Sequence, residues 1–556
     1  MKTISLIFIA AALAAPLCAQ SRGGDTQLSS GAVLAYGPAI VTNGLNATAV
    51  WNSDETVLSS YSTDGGRSWS ATPVVIGGGT LSGAKRTYKD AIASNLNDTY
   101  LMYEDKATGV EEHMFTMSSD SGATWSTPTI VPSVGAGYIT DINVHANGSV
   151  IVATSLALAF PNGCFINVST DGGLSWTETR ADAAIGDVDA VSSSMSGSSL
   201  LVTWTDDSAG VNETYGIVST DNGATFGPII ALSDTLDNFK TSFVDCWVDN
   251  GEMAVAWLED DSTLSGTFDN LIVVYSADNG ATWSTPVALT DNLDLTGTPV
   301  YDADNMEITH SGGITNIVYE YNIAGQDDIY CSSTSDYGVS FADTNLGAGS
   351  YPRVTGDSDY VGVAFGLGAY PENPGLAVSR DGGVTFAATF DVSAGGSIGD
   401  ADYLEIAYSA EYNNFVVLHV EDRTGLNQVY AGGSRAALLE STVDTLAGTL
   451  QLNISGISAS SGGPTQVQIA GALTSTLGAA LLPDGRDVML SIDPVLLATK
   501  SFAPLRVSIN AAGNGATGVM TTPASFSGTT ILFGGAELVG GGVFGTLIEP
   551  IEVIMP

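Results

Sequence analysis

The sequence predicts an all-β protein: a seven- or eight-bladed β-propeller, with eight units counted, followed by a small β-sandwich domain. Three observations predict it. A short turn pattern recurs seven times, alternating β-branched and aromatic runs fill the intervals, and the composition changes abruptly after Arg435. At 556 residues the chain exceeds what one hydrophobic core usually organises, so repeats or several domains are required.

The N-terminus reads Lys2, an apolar run from Ile4 to Leu17, then Leu17-Cys18-Ala19 before polar Gln20. That is the order of a secretory signal peptide, so residues 1–19 are expected to be removed after Ala19, leaving a soluble exported product. Leu17 before Cys18 fits a lipoprotein cleavage site poorly. No later stretch is apolar for the roughly 18 residues that a spanning helix needs, and no membrane span is expected.

The recurring pattern is Ser/Thr-x-Asp-x-Gly-x-Thr/Ser-Trp/Phe. Its copies run from Ser62 to Trp69, Ser118 to Trp125, Ser169 to Trp176, Ser219 to Phe226, Ser276 to Trp283, Thr334 to Phe341 and Ser379 to Phe386. The aspartates, Asp64, Asp120, Asp171, Asp221, Asp278, Asp336 and Asp381, lie 56, 51, 50, 57, 58 and 45 residues apart, a period that suits one four-stranded blade. A carboxylate here can accept backbone N–H bonds across a tight turn, glycine permits φ > 0, and the aromatic ring is expected to anchor the turn against its own blade.

Between the turns, runs such as Ile139 to His145, Val150 to Leu158 and Cys164 to Ser169 supply the first three strands of a blade, and Thr127 to Val131 shows the strand that follows a turn. After the seventh turn, Tyr403 to Tyr408, Phe415 to Glu421 and Val429 to Gly433 repeat three strands without a turn pattern. They imply an eighth unit, whose outer strand is expected from Ala32 to Tyr36 near the mature N-terminus, latching the ring.

The seven turns resemble the BNR/Asp-box repeats of sialidases and other secreted propellers, and the resemblance spans residues 28–436. It implies that each box fixes the turn between the third and fourth strands, on the face away from the ligand site. It also brings sialidase activity into consideration, which in that family uses an arginine triad, a Tyr/Glu pair, an acid/base Asp and an early Arg-Ile-Pro motif. The corresponding segment here is Tyr36-Gly37-Pro38-Ala39-Ile40, without arginine. Arg86, Arg353 and Arg423 fall on the expected ligand face and could stand in for the triad, or simply offset neighbouring aspartates.

Residues 437–556 contain no Trp, Tyr or Cys and show short alternating runs separated by Gly-rich turns, read as a β-rich accessory domain for attachment, glycan binding or capping.

Residues that open first strands and close second strands should converge on the face opposite the boxes. At the first position the repeats place Asp90, Asp141, Asp189, Asp245, Asp304 and Asp402, with Arg353 in the seventh unit; second strands add carboxylates such as Glu104, Asp206, Glu320 and Glu421. Like carboxylates at close range must be hydrated, hydrogen-bonded, protonated or bridged by cations. Three readings follow: each Asp caps its own loop; Asp141, Asp189, Asp245 and Asp304 hold calcium or another hard cation; or two carboxylates form a glycosidase pair.

The net charge of −44, from 16 basic and 60 acidic residues, disfavours nucleic acid and anionic membrane surfaces. Cys164, Cys246 and Cys331 form no disulfide framework and read as buried thiols or a single Cys246–Cys331 bridge. His113, His145, His310 and His419 are too separated for a local zinc motif, and Asp302-Ala303-Asp304-Asn305 lacks full EF-hand spacing. No nucleotide-binding loop is present. The leading expectation is an extracellular propeller whose acidic, aromatic-edged face binds glycan or another surface ligand, with a divalent cation as a candidate aid. The competing class is a secreted glycoside hydrolase.

Overall fold

The computed structural model describes residues 21–435 apart from segments between strands, the longest being 78–84, 261–268, 291–300 and 394–400, and in residues 438–554 the strands alone. The expected signal peptide therefore lies outside the described residues. The chain divides into two compact bodies, one comprising Arg22–Ser434 and the other Arg435–Pro556 with the N-terminal residues.

The Arg22–Ser434 body is a β-propeller built from antiparallel repeats. Repeat one runs Ala35–Asn43, Asn46–Ser53, Thr56–Ser62 and Val74–Gly77, in that spatial order. The first strands of the third to sixth repeats are Tyr138–Asn147, Val188–Ser196, Lys240–Asp249 and Tyr301–Ser311. In repeat two Lys85–Arg86 and Ile92–Asn95 both pair with Asp98–Asp105. Strand Ala342–Asp357 serves twice, as the outer strand of repeat six and the first strand of repeat seven. Repeat eight begins with Ala401–Ser409. First strands of successive repeats pack side by side, and that of repeat eight packs on that of repeat one.

The ring closes differently from the sequence expectation. Ala32 to Tyr36 does not supply the outer strand of repeat eight; Ala35–Asn43 is the first strand of repeat one, with Ala35 and Ala39 fully buried. The latch comes from earlier residues, Ser21–Arg22 and Thr26–Gln27, which pair with Gln428–Arg435. Leu28 joins Trp51, Leu418 and Val429 in the seam, and Thr42 Oγ1–H donates to Tyr408 O (2.5 Å) across it.

Second strands are the most enclosed, because both their faces meet a neighbouring repeat. Trp51, Trp204 and Trp257 sit on them with no exposed surface. Most core clusters join two repeats, as Leu156 and Ile166 of the third do with Val191 and Trp204 of the fourth. The turn aromatics work in this same space. They were expected to anchor each turn to its own blade, as Trp283 does by donating its Nε1–H to Gly280 O (3.1 Å); others reach back to the preceding repeat. Trp125 Nε1–H donates to Ser59 Oγ (2.9 Å), and Trp176 meets Phe115 edge-on at 5.2 Å. A ring two residues past the turn points into the inter-repeat cleft, where more apolar surface can be buried than on its own hairpin.

Each turn aspartate is saturated locally. Asp171 accepts Ser169 Oγ–H (2.9 Å), Ser175 N–H (2.8 Å) and Ser175 Oγ–H (2.6 Å), and the other six repeat the set. Hydrogen bonds from the Ser175 side chain and backbone hold the Asp171 carboxyl at about 2. These turns lie beside the hairpins joining first and second strands: Gly65 N–H donates to Leu45 O (2.7 Å) and Gly172 N–H to Ser149 O (3.1 Å). The first-strand entrances are therefore at the other end of the ring.

The second body contains two four-stranded antiparallel sheets, one built on Leu438–Asp444 and Thr449–Ser455, the other on Gln466–Ala472, Thr530–Val539 and Val543–Ile554. Cys164, Cys246 and Cys331 are buried and unbridged, so the Cys246–Cys331 bridge does not form.

Candidate functional site

The first strands share a device that the sequence reading missed. In the first and the third to eighth repeats the pairing of first with second strand slips by one residue near the entrance, the signature of a β-bulge. The bulges fall, for example, between Asp304 and Glu307, between Ser350 and Arg353, and between Asp402 and Glu405. At five of them a residue takes the left-handed conformation: Gly37 (φ 58°), Phe243 (42°), Asn305 (43°), Tyr351 (50°) and Tyr403 (49°).

For bulky residues this backbone is costly, about 1–2 kcal/mol each, and strain of that kind clusters at binding sites. Here it turns Phe243, Tyr351 and Tyr403 outward, leaving them 56%, 57% and 60% exposed. All three stand at the same end of their first strands, so they crown one end of the ring.

Inside this crown the first strands enclose an axial cavity of ≈ 360 Å³. Its polar wall is made by Asp90, Asn143, Asp245, Glu307, Arg353 and Glu405. Asp245 ties three repeats together: it accepts Ser192 Oγ–H (2.7 Å), Cys246 N–H (2.9 Å) and Ile308 N–H (3.1 Å). Glu307 likewise accepts Val354 N–H of the next repeat (2.8 Å). Arg353 Nε lies 3.4 Å from Glu405 Oε1; burial works against its charge, but Glu405, Glu307 and Asp90 hold its pKa above the ordinary arginine value.

The six sequence-derived aspartates therefore do not share one position. Asp245 and Asp90 line the cavity, whereas the exposed Asp189 and Asp304 do not; the side chains of Asp141 and Asp402 lie outside the described residues. Asp304 and Asp402 come just before their bulges, so Glu307 and Glu405, three residues later, take the axial place. Asp141 lies within a bulge. Asp189 is exposed and accepts from Asn212 Nδ2, and Asp304 is exposed and accepts Asn305 N–H (2.8 Å). Among the described residues no group of three or more His, Cys, Asp or Glu side chains is arranged to hold a metal ion.

Arg353 and Arg423 stand apart, and the side chain of Arg86 lies outside the described residues. Arg353 is axial, and Arg86 is on a short strand paired opposite Glu104. Arg423 belongs to the ring seam, where its guanidinium binds Asp25 (2.7 Å) and Glu421 and lies 4.0 Å over Tyr430. The four histidines remain separate: burial lowers His113 and His145 to about 4, His310 faces Glu252, and His419 sits in the seam with Asp25 and Glu421.

One of the expected second-strand carboxylates stands under the crown. Glu320, 8% exposed and directly opposite Asp304 in the strand pairing, accepts the Tyr351 N–H and Asn305 Nδ2–H (3.0 Å), so it braces two bulges at once. Burial, opposed by these hydrogen bonds, pushes it up to about 7. Asp269 is raised to about 6 by burial and by Asp302, Asp260 and Asp304.

Fold and site together define a β-propeller with a bulge-lined acidic mouth at one end and aspartate turns at the other. The chain belongs to the BNR repeat-like domain family, whose pattern matches residues 51–363. No curated protein matches it. Among solved structures it is similar to the sialidase of Trypanosoma rangeli, at 12% identity over 77% of this chain and 89% of that one, TM-score 0.35. It is also similar to an α-L-arabinofuranosidase of Fusarium graminearum (10% identity, 65% and 98% coverage, TM-score 0.37) and to a polysaccharide lyase (9%, 62% and 89%, 0.45). No helix among the described residues is long and apolar enough to cross a membrane.

Proposed function

We propose that this is an exported recognition propeller that binds a neutral glycan at its bulge end. The observation that carries the reading is the crown: Phe243, Tyr351 and Tyr403 forgo both burial and a relaxed backbone to stand exposed around a carboxylate-lined cavity. Aromatic faces stack on the C–H faces of sugar rings, and carboxylates such as Asp90 accept hydroxyl hydrogen bonds. The acidic wall repels anionic sugars, which argues against sialic acid as the ligand. Export rests on the leader-like residues 1–19, and recognition is proposed without a cation. The test is a glycan array, with and without chelator, on the full chain and on Tyr351→Ala. Retained binding of neutral glycans by Tyr351→Ala at unchanged affinity would remove the crown from the account.

A second reading, a glycoside hydrolase for neutral sugars, is favoured by Glu320. A carboxyl pushed up to about 7, opposite the exposed Asp304, has the makings of a general acid beside a second carboxyl. Chromogenic neutral glycosides test it: turnover lost in Glu320→Gln supports hydrolysis, and no turnover by the parent chain rejects it.

A further inference from the structure

At the turn end of repeats five and six lies a second cavity, of ≈ 110 Å³, walled by Trp247, Glu252, Met253, Tyr275, His310 and Tyr337. Tyr275 is 4% exposed, and its hydroxyl has no hydrogen-bond partner among the described residues; the buried Trp247 indole N–H has none either. In the same lining Tyr337 O–H donates to Glu252, whose other oxygen lies 3.9 Å from His310 Nε2. Tyr337 is itself held left-handed, at φ 57°, and is 47% exposed at the cavity.

The donor set selects the ligand. An indole N–H only donates, so the ligand must offer an acceptor; the Glu252 carboxylate only accepts, so it must also offer a donor. An anion would meet Glu252 and the Asp336 charge felt by Tyr275. An ammonium has no lone pair for Trp247. A hydroxyl is the smallest organic neutral group that both donates and accepts, and the lining offers the Trp247 donor and the Glu252 acceptor for two of them, with Met253 and the rings beside the carbons between. We propose that this pocket binds a small neutral polyol through a vicinal diol, either a free polyol or the hydroxylated edge of a neutral sugar. The site is independent of the crown, which stands at the other end of the first strands.

The test follows the indole N–H resonance of Trp247 in the ¹⁵N-labelled full chain, assigned by its disappearance in Trp247→Phe. Glycerol and methyl β-glucopyranoside are titrated separately, with acetate and methylammonium as comparators. A saturable shift with glycerol alone assigns a free polyol, and one with both assigns a sugar edge. Tyr275→Phe, which keeps the ring and removes only the hydroxyl, should weaken that binding about five-fold, the worth of one ordinary hydrogen bond, while Phe243→Ala should leave it unchanged. No saturable shift with either diol, an equal shift with acetate, or full affinity in Tyr275→Phe overturns the proposal.

Discussion

Replacing Gly173 by alanine should be among the most damaging single-methyl changes in the propeller, and the structure separates the reasons. Gly173 has φ +87°, and a Cβ there would stand 2.1 Å from Phe115 Cε1 of the preceding repeat. Phe115 cannot swing away: it is 4% exposed, stacked on Tyr100 at 6.4 Å and met edge-on by Trp176. The left-handed backbone costs about 1–2 kcal/mol for alanine, and overpacking a closed site adds about 1–3 kcal/mol. Neighbouring Gly172 supplies the control, since its φ is +73° but nothing lies within 4 Å of its Cβ position. Gly172→Ala should therefore lose only the backbone part. Urea unfolding followed by tryptophan fluorescence would show a midpoint for Gly173→Ala clearly below that of Gly172→Ala, the gap corresponding to ~1–3 kcal/mol. Equal midpoints would refute the claim that the turns lock each repeat onto its predecessor.

Other outcomes follow from the charges and the seam. Glu320 has a folded pKa raised above its unfolded value, so the folded state holds the extra proton between about pH 4.5 and 7 and loses stability as pH rises through that window. Glu320→Gln should consequently be neutral near pH 5 and more stable than the parent at pH 8 by up to ~3 kcal/mol, read from urea midpoints at the two values. The turn carboxylates run the other way. Asp171, lowered to about 2, contributes above its unfolded pKa and loses that contribution as pH falls from about 4 to 2, so Asp171→Asn should flatten the acid-unfolding curve there, as circular dichroism would record. At the seam, Asp25→Asn removes a charge whose side chain is fully buried against Arg423. Hydrogen exchange should accelerate in Gln428–Arg435 before other third strands, with a loss of about 2–4 kcal/mol.

How far the sequence reveals this molecule depends on what each feature requires of a residue type. The turns were legible because an aspartate that must accept N–H bonds and a glycine at positive φ leave little choice at fixed spacing. The ring latch was misplaced because Ala35–Asn43 and the short Thr26–Gln27 are both credible strands, and only burial of Ala35 and Ala39 decides between them. The axial wall was blurred by the bulges. A one-residue slip moves the inward place from Asp304 to Glu307 and from Asp402 to Glu405, and no composition rule marks it. A signal was present in the alignment of Asp304-Asn305-Met306-Glu307-Ile308, Ser350-Tyr351-Pro352-Arg353-Val354 and Asp402-Tyr403-Leu404-Glu405-Ile406, which repeats a left-handed residue, an apolar one, an axial charge and a β-branched one. An aromatic edge was expected, but its residues were not singled out because a lone aromatic in a strand reads as core. Its exposure follows from a backbone conformation that bulky side chains seldom adopt.

The most direct measurement for the central claim is affinity for neutral glycans in Phe243→Ala, Tyr351→Ala and Tyr403→Ala, each checked for an unchanged urea midpoint. Alanine carries the same left-handed backbone cost as the exposed ring it replaces, so the folded state should survive all three while glycan affinity falls about ten-fold or more in at least two, the loss expected for one stacking ring. Three well-folded variants that bind neutral glycans as tightly as the parent would contradict the account.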